Sequence, residues 1–482
     1  MTLVAGIDSS TQSCKVSVRD IETGREVRCG KAAHPPLTVV DPNVWWDALL
    51  AAVEDAGGLE DVSAISVSGQ QHTPIFMDDL GHAVSPSPLW NDVGSHPHML
   101  ALNEELGADE WIRRTGLPLT LSDTVVKLRW LRDTNPLAAQ HTAAVAVVHD
   151  WLTWRLMGFG PGTGGIDRLV TDRSEASGTA YWSGDTNDYC DDLFELALGK
   201  SAVLPRILGP QDTAGFTARG LPGIPAGIPI GVGSGDNAAA ALALGIEEGQ
   251  TVLSLGTSGV VYARSPHTVH DFGGYVCSYA DATGDHLPLV ATLNAARNFD
   301  VGSRLLGCSH AELSALALQA QPGAGGLTLL PFFEGERTPD LPRARGSLLE
   351  ASLENLTRAN FARAVIEGTI ASQVYMLEAL ASRDVETHEL ILIGGAAQSL
   401  AVQRVLSEMV DVPISVPEPD EYVTKGAAMQ AAVTVDGEFP KWESHLSALP
   451  REPHQEQIAL QHRNAKKTMG YIESSREVAP LT

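Results

Sequence analysis

The chain has 482 residues, 44% of them hydrophobic and 19% charged, with 59 acidic against 33 basic side chains and a net charge of −26. That length predicts two or three domains with sizeable cores, and the apolar content lies well outside the disordered regime. So acidic a chain argues against nucleic acid and anionic membranes as partners, because phosphate contacts need concentrated Lys and Arg.

The opening reads as β structure: TLVAGI, a turn DSSTQS, CKVSVRD, and a third strand near EVRCGKAAH. DPNVWWDALLAAVEDAGG follows as a helix, with Asp41 as N-cap, Pro42 at its first position and Gly57 closing it. VSAISVSG is a short buried strand, and AVAVVHD is another that leads into the helix WLTWRLMG. Strands alternating with helices make an α/β lobe. From Gly209 to Pro229 the chain is rich in Gly and Pro, as expected of a long crossing segment. IPIGVGSG then reads as one strand, followed by a helix from Asn237 to Leu244.

TVLSLGTSGVVYARS repeats the strand, small polar turn and strand of the N-terminus, which predicts a duplicated α/β unit with a boundary near residues 236–248. The second half adds the helix NFARAVIEGTIASQVYMLEAL, the strand LILIGG, a helix after AAQS, and a last αβ element in VPISV and KGAAMQAAV. Beyond about Asp436 the tail is polar and says little.

Five scattered cysteines (Cys14, Cys29, Cys190, Cys277 and Cys308) with no CxxC pair argue against a disulfide framework or zinc site. They point to a reducing, cytoplasmic compartment. MTLVAGIDSST lacks basic flanks and breaks at Asp8, unlike a secretory leader. No apolar run reaches the roughly 20 residues of a membrane span.

Three small-residue turns stand where open α/β sheets bind ligands, at the C-terminal ends of predicted strands. GIDSSTQS offers the hard carboxylate of Asp8 beside hydroxyls and N–H groups, SLGTSG a second nest, and LIGGAAQS two glycines that admit close approach. Each alone is equally an ordinary strand-ending turn. GxxxxGK[ST] does not occur, and the one GxGxxG match, GPGTGG at 160–165, follows the predicted helix WLTWRLMG and not a strand, so it lacks the context of a dinucleotide fingerprint. GSGDN places Asp236 at a helix mouth, where it reads as a plain helix cap or as an acidic functional group. Trp45 and Trp46 read as core. The HPH at 96–98 reads as surface, since two histidines without a partner motif make no metal site.

Eleven stretches in one order resemble the FGGY carbohydrate kinases, most closely the xylulose branch: GIDSSTQSCK, DPNVWWDAL, VSGQQH, LWND, HDWLTWRLMG, EASGT, GSGDNAAAALALG, LSLGTSG, LLPFFEGERTP, ARAVIEG and LIGGAAQS. The resemblance implies an α/β fold of two duplicated actin- and hexokinase-like (ribonuclease H-like) lobes with a cleft between them. It divides the chain into an N-terminal lobe over 1–240, a nucleotide-binding lobe over 241–436, and a tail over 437–482 without assignment. It further implies ATP-dependent phosphorylation of a ketopentose, D-xylulose at its terminal hydroxyl. A sibling activity on ribulose, glycerol or a sugar alcohol stays open, as does a sugar or nucleotide sensor without catalysis. Sugar and ATP would be the partners, with no nucleic acid and no membrane, and a homodimer is left open.

By the same resemblance Asp236 takes the proton of the attacking hydroxyl, held ionised by nearby N–H groups and the helix dipole. Asp8 would hold Mg2+ through water. Thr11 and Gln12 would approach the terminal phosphates, while Gly256, Thr257, Ser258 and Gly259 grip the other side of the triphosphate. Gly394, Gly395 and Ala396 would face the adenosine, with Gln398 close by. The sugar would lie against Gln71, His72, Trp90, Asp92 and Asn237. For His72 a satisfied core histidine is the alternative. The chain departs from the family pattern at Thr73, Gly94, Glu175, Gln398 and Lys425. Thr73 and Gly94 fall on the sugar side, so they bear on which sugar is taken.

Overall fold

The computed structural model describes residues 1–442 and 444–471. Two large mixed sheets organise them, and each is built around the same unit. In the first, Leu3–Ser9 pairs antiparallel with Ser13–Asp20 and parallel with Val62–Gly69. In the second, Gln250–Leu255 pairs antiparallel with Gly259–Ala263 and parallel with Glu389–Ile393. The repeated hairpin is the duplication expected from the two turns. Leu3–Ser9 is buried along its whole length, as a strand covered by helices on both faces must be. Trp45 and Trp46 of the helix Asn43–Asp55 pack into the first core.

Two expectations need correction. Gly209–Pro229 is no crossing segment: Thr213–Phe216 turns back as a hairpin against Pro229–Gly231 at the sheet edge. The glycines and prolines serve the turns of that edge. IPIGVGSG is two strands, Pro229–Gly231 and Ser234–Gly235, both parallel to Val62–Gly69. The break falls at Gly233 (φ 79°), where a Cβ would lie 2.6 Å from the His149 ring carbon Cδ2. The tail also carries structure. Trp442 donates its indole N–H to the Ile21 carbonyl (2.8 Å), Leu446–Ala448 extends the second sheet, and the helix Glu456–Thr468 buries Ile458 and Ala465. Residues 472–482 of the expected tail lie outside the described residues.

Between the sheets two helices are exchanged. The linker helix Asp236–Leu244 leaves the first sheet and sends Ala241 and Leu244 into a core with Val252, Tyr262 and Ile393 of the second. The closing helix Tyr422–Asp436 returns from the second sheet and lies on the first. The approach is at backbone distance. A Cβ on Gly6 would fall 2.5 Å from the Ala428 nitrogen, and one on Gly231 2.8 Å from the Gln430 carbonyl carbon. The two helices cross where Gly426 meets Ala239. KGAAMQAAV is rich in glycine and alanine because the helix is buried on every side from Thr424 to Val433.

Among the described residues all five cysteines are free. No helix there is long and apolar enough to cross a membrane.

Candidate active site

The facing ends of the two sheets bound a cleft of about 580 Å³ lined by Asp8, Lys15, Asp236, Asn237, Gly394, Gly395 and Gln398, among others. Asp8, the last residue but one of its strand, is 2% exposed, and Ser10 Oγ donates to both its oxygens at 2.5 and 2.6 Å. Burial pushes its carboxyl up to about 7; the Ser10 hydrogen bonds oppose that rise and the charge of Asp236 adds to it. Asp236 is the first residue of the linker helix and half-buried. Its Oδ1 accepts from the Asn237 backbone N–H at 2.8 Å and the Asn237 side chain at 2.9 Å.

Nearby N–H groups and the helix dipole are the features expected to hold Asp236 ionised. Burial outweighs them and lifts its carboxyl to about 6, so the group stands closer to neutrality than a simple helix cap. Asn237 is thereby tied to Asp236, and it too lines the cleft.

Across the cleft, Gly394 (φ 94°) must be glycine, because a Cβ would strike the backbone of Leu255. Gly395 faces open space and starts the short turn Gly395–Gln398 that also holds Ala396. At the other hairpin Thr257 and Ser258 are exposed, and the Gly256 N–H is spent on the Ser258 carbonyl (3.1 Å). Gly259 already belongs to the next strand and is glycine because Gln373 and Thr292 crowd it.

Of the predicted sugar residues, Gln71 and His72 lie against the short helix Arg173–Ser177 and the Gly178 that follows it. Gln71 donates to the Ser174 carbonyl at 2.8 Å and packs beneath Gly235, next to Asp236. His72 sits at φ 74°, a left-handed conformation uncommon for any residue but glycine. Its Nδ1 lies 2.6 Å from the Gly178 carbonyl, which can only accept, so Nδ1 carries the proton and Nε2 is left as an acceptor. Burial drives the ring down to about 4, which makes it neutral at ordinary pH. Trp90 donates its indole N–H to Thr11 Oγ1 at 2.8 Å and its backbone N–H to Thr73 Oγ1 at 3.1 Å. Thr11 therefore joins the sugar side to the first turn, while Gln12 beside it is exposed. Asp92 is turned aside, accepting from Thr38 Oγ1 and the Gly94 N–H, each at 2.9 Å.

Two functional features escape the sequence reading. Lys15, the partner of Asp8 across the hairpin, is the one cation among the described cleft-lining residues and pairs with Glu421 at 2.5 Å. Its place opposite Asp8 is set by the register of the hairpin. Arg337 of the second half reaches the group around His72: it approaches Cys277 Sγ at 3.8 Å, and its charge acts on Asp123 and His72. Asp123 is 1% exposed, and burial pushes it up to about 7. The EGERTP stretch was its only signal. Glu175 stays beneath the site, fully buried with neither oxygen partnered, and burial, with the charges of Asp150 and Asp172 nearby, raises its carboxyl well above the usual range. His98 pairs with Asp133 (3.1 Å), and no cluster of three metal-ligating side chains occurs among the described residues.

Two actin-like halves with paired carboxylates across a glycine-walled cleft define a phosphoryl-transfer enzyme. The chain belongs to the FGGY family of carbohydrate kinases, whose N-terminal domain matches residues 3–243 and whose C-terminal domain matches residues 251–435. It is 40% identical to a xylulose kinase of Streptomyces rubiginosus over 456 residues, 92% of this chain and 91% of that protein. The crystal structure of xylulose kinase from Bifidobacterium adolescentis superposes with a TM-score of 0.90 at 39% identity, covering 96% of this chain and 99% of that one. Plasmodium falciparum glycerol kinase with ADP shares the fold at a TM-score of 0.87 and 19% identity, covering 98% and 99% of the two chains. As a carbohydrate kinase of this family the protein takes a sugar and ATP.

Proposed function

We propose that the chain transfers the terminal phosphoryl group of ATP to the terminal hydroxyl of D-xylulose, with Asp236 as proton acceptor. The observation that carries this is Asp236 at the head of the linker helix, in one cleft with Asp8 and opposite Gly394–Gly395. The identity with xylulose kinases over nine-tenths of the chain supports the substrate. The hydroxyl oxygen attacks phosphorus, its proton passes to an Asp236 carboxylate oxygen, and the bond to the ADP oxygen breaks. With its carboxyl near 6, Asp236 is roughly nine-tenths ionised at pH 7 and accepts the proton as the hydroxyl commits to attack.

Gln71, His72, Trp90 and Asn237 hold and orient the sugar; His72 accepts a sugar hydroxyl at Nε2. Asp92 sets the edge of that wall through the Thr38 and Gly94 contacts. Thr11, Gln12 and Lys15 meet the phosphates from the first half, and Gly256, Thr257, Ser258 and the start of Gly259 meet them from the second. Gly394, Gly395, Ala396 and Gln398 carry the adenosine. On this reading residues 1–240 supply the sugar side and 241–436 the nucleotide side, with the closing helix lent back to the first sheet.

The donor set fits Mg2+, which is held through one or two carboxylates completed by water and substrate phosphates. Asp8 is a hard oxygen donor whose charge, like that of Asp236, is destabilised by burial and by its neighbour. When bound, the cation neutralises phosphate charge. Asp8 would hold it, and Ser10 keeps that carboxylate oriented. Five unpaired cysteines favour a cytoplasmic location.

Asp236→Asn keeps the shape and removes the acceptor. It should lower turnover by about two to four orders of magnitude with ATP binding nearly unchanged. Near-normal turnover in a steady-state ADP-release assay would take Asp236 out of the role. The same assay over ketopentoses, polyols and glycerol tests the sugar, where Thr73 and Gly94 are the positions that favour a sibling substrate.

A further inference from the structure

The turn that precedes Asp236 is not held by its own sheet alone. Ser234–Gly235 makes a short parallel pairing with Val62–Gly69, and three fully buried side chains from three other elements complete the hold. His149 Nε2 donates to the Val232 carbonyl at 2.8 Å, and Ser174 Oγ accepts the Gly235 N–H at 2.9 Å. Gln430, 1% exposed, makes two bonds: its Nε2 donates to the Gly233 carbonyl at 2.6 Å, and its Oε1 accepts from Ser234 Oγ at 3.1 Å. His149 and Ser174 belong to the first half. Gln430 comes from the closing helix, about 200 residues further along the chain.

That helix begins at Tyr422 and Val423, which line the cleft together with Pro419, Asp420 and Glu421. From Tyr422 to Gln430 runs an unbroken helix of about 12 Å. It cannot slide independently of what it touches, since Gly6, Gly231 and Gly426 bring it against backbone on three sides. A residue at the nucleotide end of the cleft and the turn before Asp236 are therefore joined by one rigid element and one amide.

We infer that Gln430 is a positioning residue for Asp236, registering the turn that carries the proton acceptor against the helix that walls the nucleotide cleft. The inference rests on Asp236 as the acceptor. Gln430 touches no reacting atom. Its two bonds fix both the carbonyl and the side chain of adjacent turn residues, which determines the direction in which the linker helix starts. Without them the turn keeps its strand pairing and its Ser174 bond but loses its register to the second half.

Gln430→Leu keeps the volume and removes both bonds, while Ser234→Ala removes one. The test is an ADP-release assay at saturating sugar and ATP, run in the parent and in an Asp236→Asn background, with thermal melting of each variant. Q430L should lower kcat roughly 30- to 100-fold with both KM values within about threefold, since displacement of an acceptor by about an ångström costs on that order. S234A should lower it roughly three- to tenfold. In the Asp236→Asn background Q430L should change the residual rate by less than about twofold, because the group it positions is already gone.

Q430L with kcat within about twofold of the parent overturns the inference. So does an equal loss in both backgrounds, which is what general structural damage would give. If Q430L is insoluble, S234A and its Asp236→Asn double variant carry the same comparison. An Asp236→Asn variant with parental turnover would instead remove the acceptor assignment, and the inference with it.

Discussion

Gly426→Ala puts one methyl group at the crossing of the two exchanged helices. Its carbon would stand 2.6 Å from the Ala239 carbonyl carbon and 2.9 Å from its Cα, and closer still to its oxygen. All three are backbone atoms, so no side-chain rotation relieves the clash, and the helices must part by about 1 Å. The closing helix cannot yield, because Gly6 and Gly231 already hold it at backbone distance on the sheet side. The linker helix must move, and Asp236 lies three residues before Ala239. Helix propensity favours alanine over glycine by about 1 kcal/mol. Overpacking of this kind costs about 1–3 kcal/mol, so the net change is destabilising or near zero. The larger effect is on rate: a shift of about 1 Å in a catalytic group costs on the order of 100-fold, or about 2.7 kcal/mol of activation free energy. Steady-state ADP release at saturating substrates should show kcat down by about two orders of magnitude, with the ATP KM within about threefold. A folded Gly426→Ala protein with kcat within threefold of the parent would refute the reasoning.

The pH profile follows from Asp236, whose carboxyl burial raises to about 6. The carboxylate is the accepting form, present above that value and lost as pH falls through it. At saturating Mg2+, which favours the ionised form of Asp8, kcat/KM for the sugar should be level from about pH 7 to 8 and fall about tenfold per unit below 6; an acid limb centred near 4 would contradict the burial. Lys15→Ala should raise the ATP KM roughly tenfold and weaken ADP in calorimetric titration. Its melting temperature should barely move, because the pair with Glu421 is exposed and such pairs contribute about 0–1 kcal/mol. Gly94→Arg sets a guanidinium beside Asp92, whose Oδ1 lies 3.0 Å from the added Cβ. It should alter the sugar KM more than the ATP KM, and equal changes would take the position off the sugar side.

Much of the fold was legible where one local pattern had one reading. The two hairpins stand out because small polar turns interrupt fully buried strands, and Asp236 because GSGDN sits between a strand and an alanine-rich helix. Gly209–Pro229 misled because glycine and proline mark turning chain without saying whether it turns back or crosses. The site was legible as a set of turns. Which of them share a cleft was not, since Gly394 and Asp8 meet only through the packing of two sheets. Lys15 carries no motif of its own, and only its register with Asp8 gives it a direction. How far the Asp236 carboxyl rises was not legible for a related reason. N–H groups are local and readable, whereas burial comes from the far side of the molecule.

The exchange of helices also bears on how the chain is made. The last strand of the first sheet, Ser234–Gly235, is synthesised well before the helix at Tyr422–Asp436 that must cover it. At about 5–20 residues per second, that sheet face waits roughly 10–40 s on the ribosome with Val4 and Ala64 uncovered. The N-terminal half emerges as an incomplete body, dependent on the last part of the message for its own stability. Expressed alone it should need a chaperone to stay in solution.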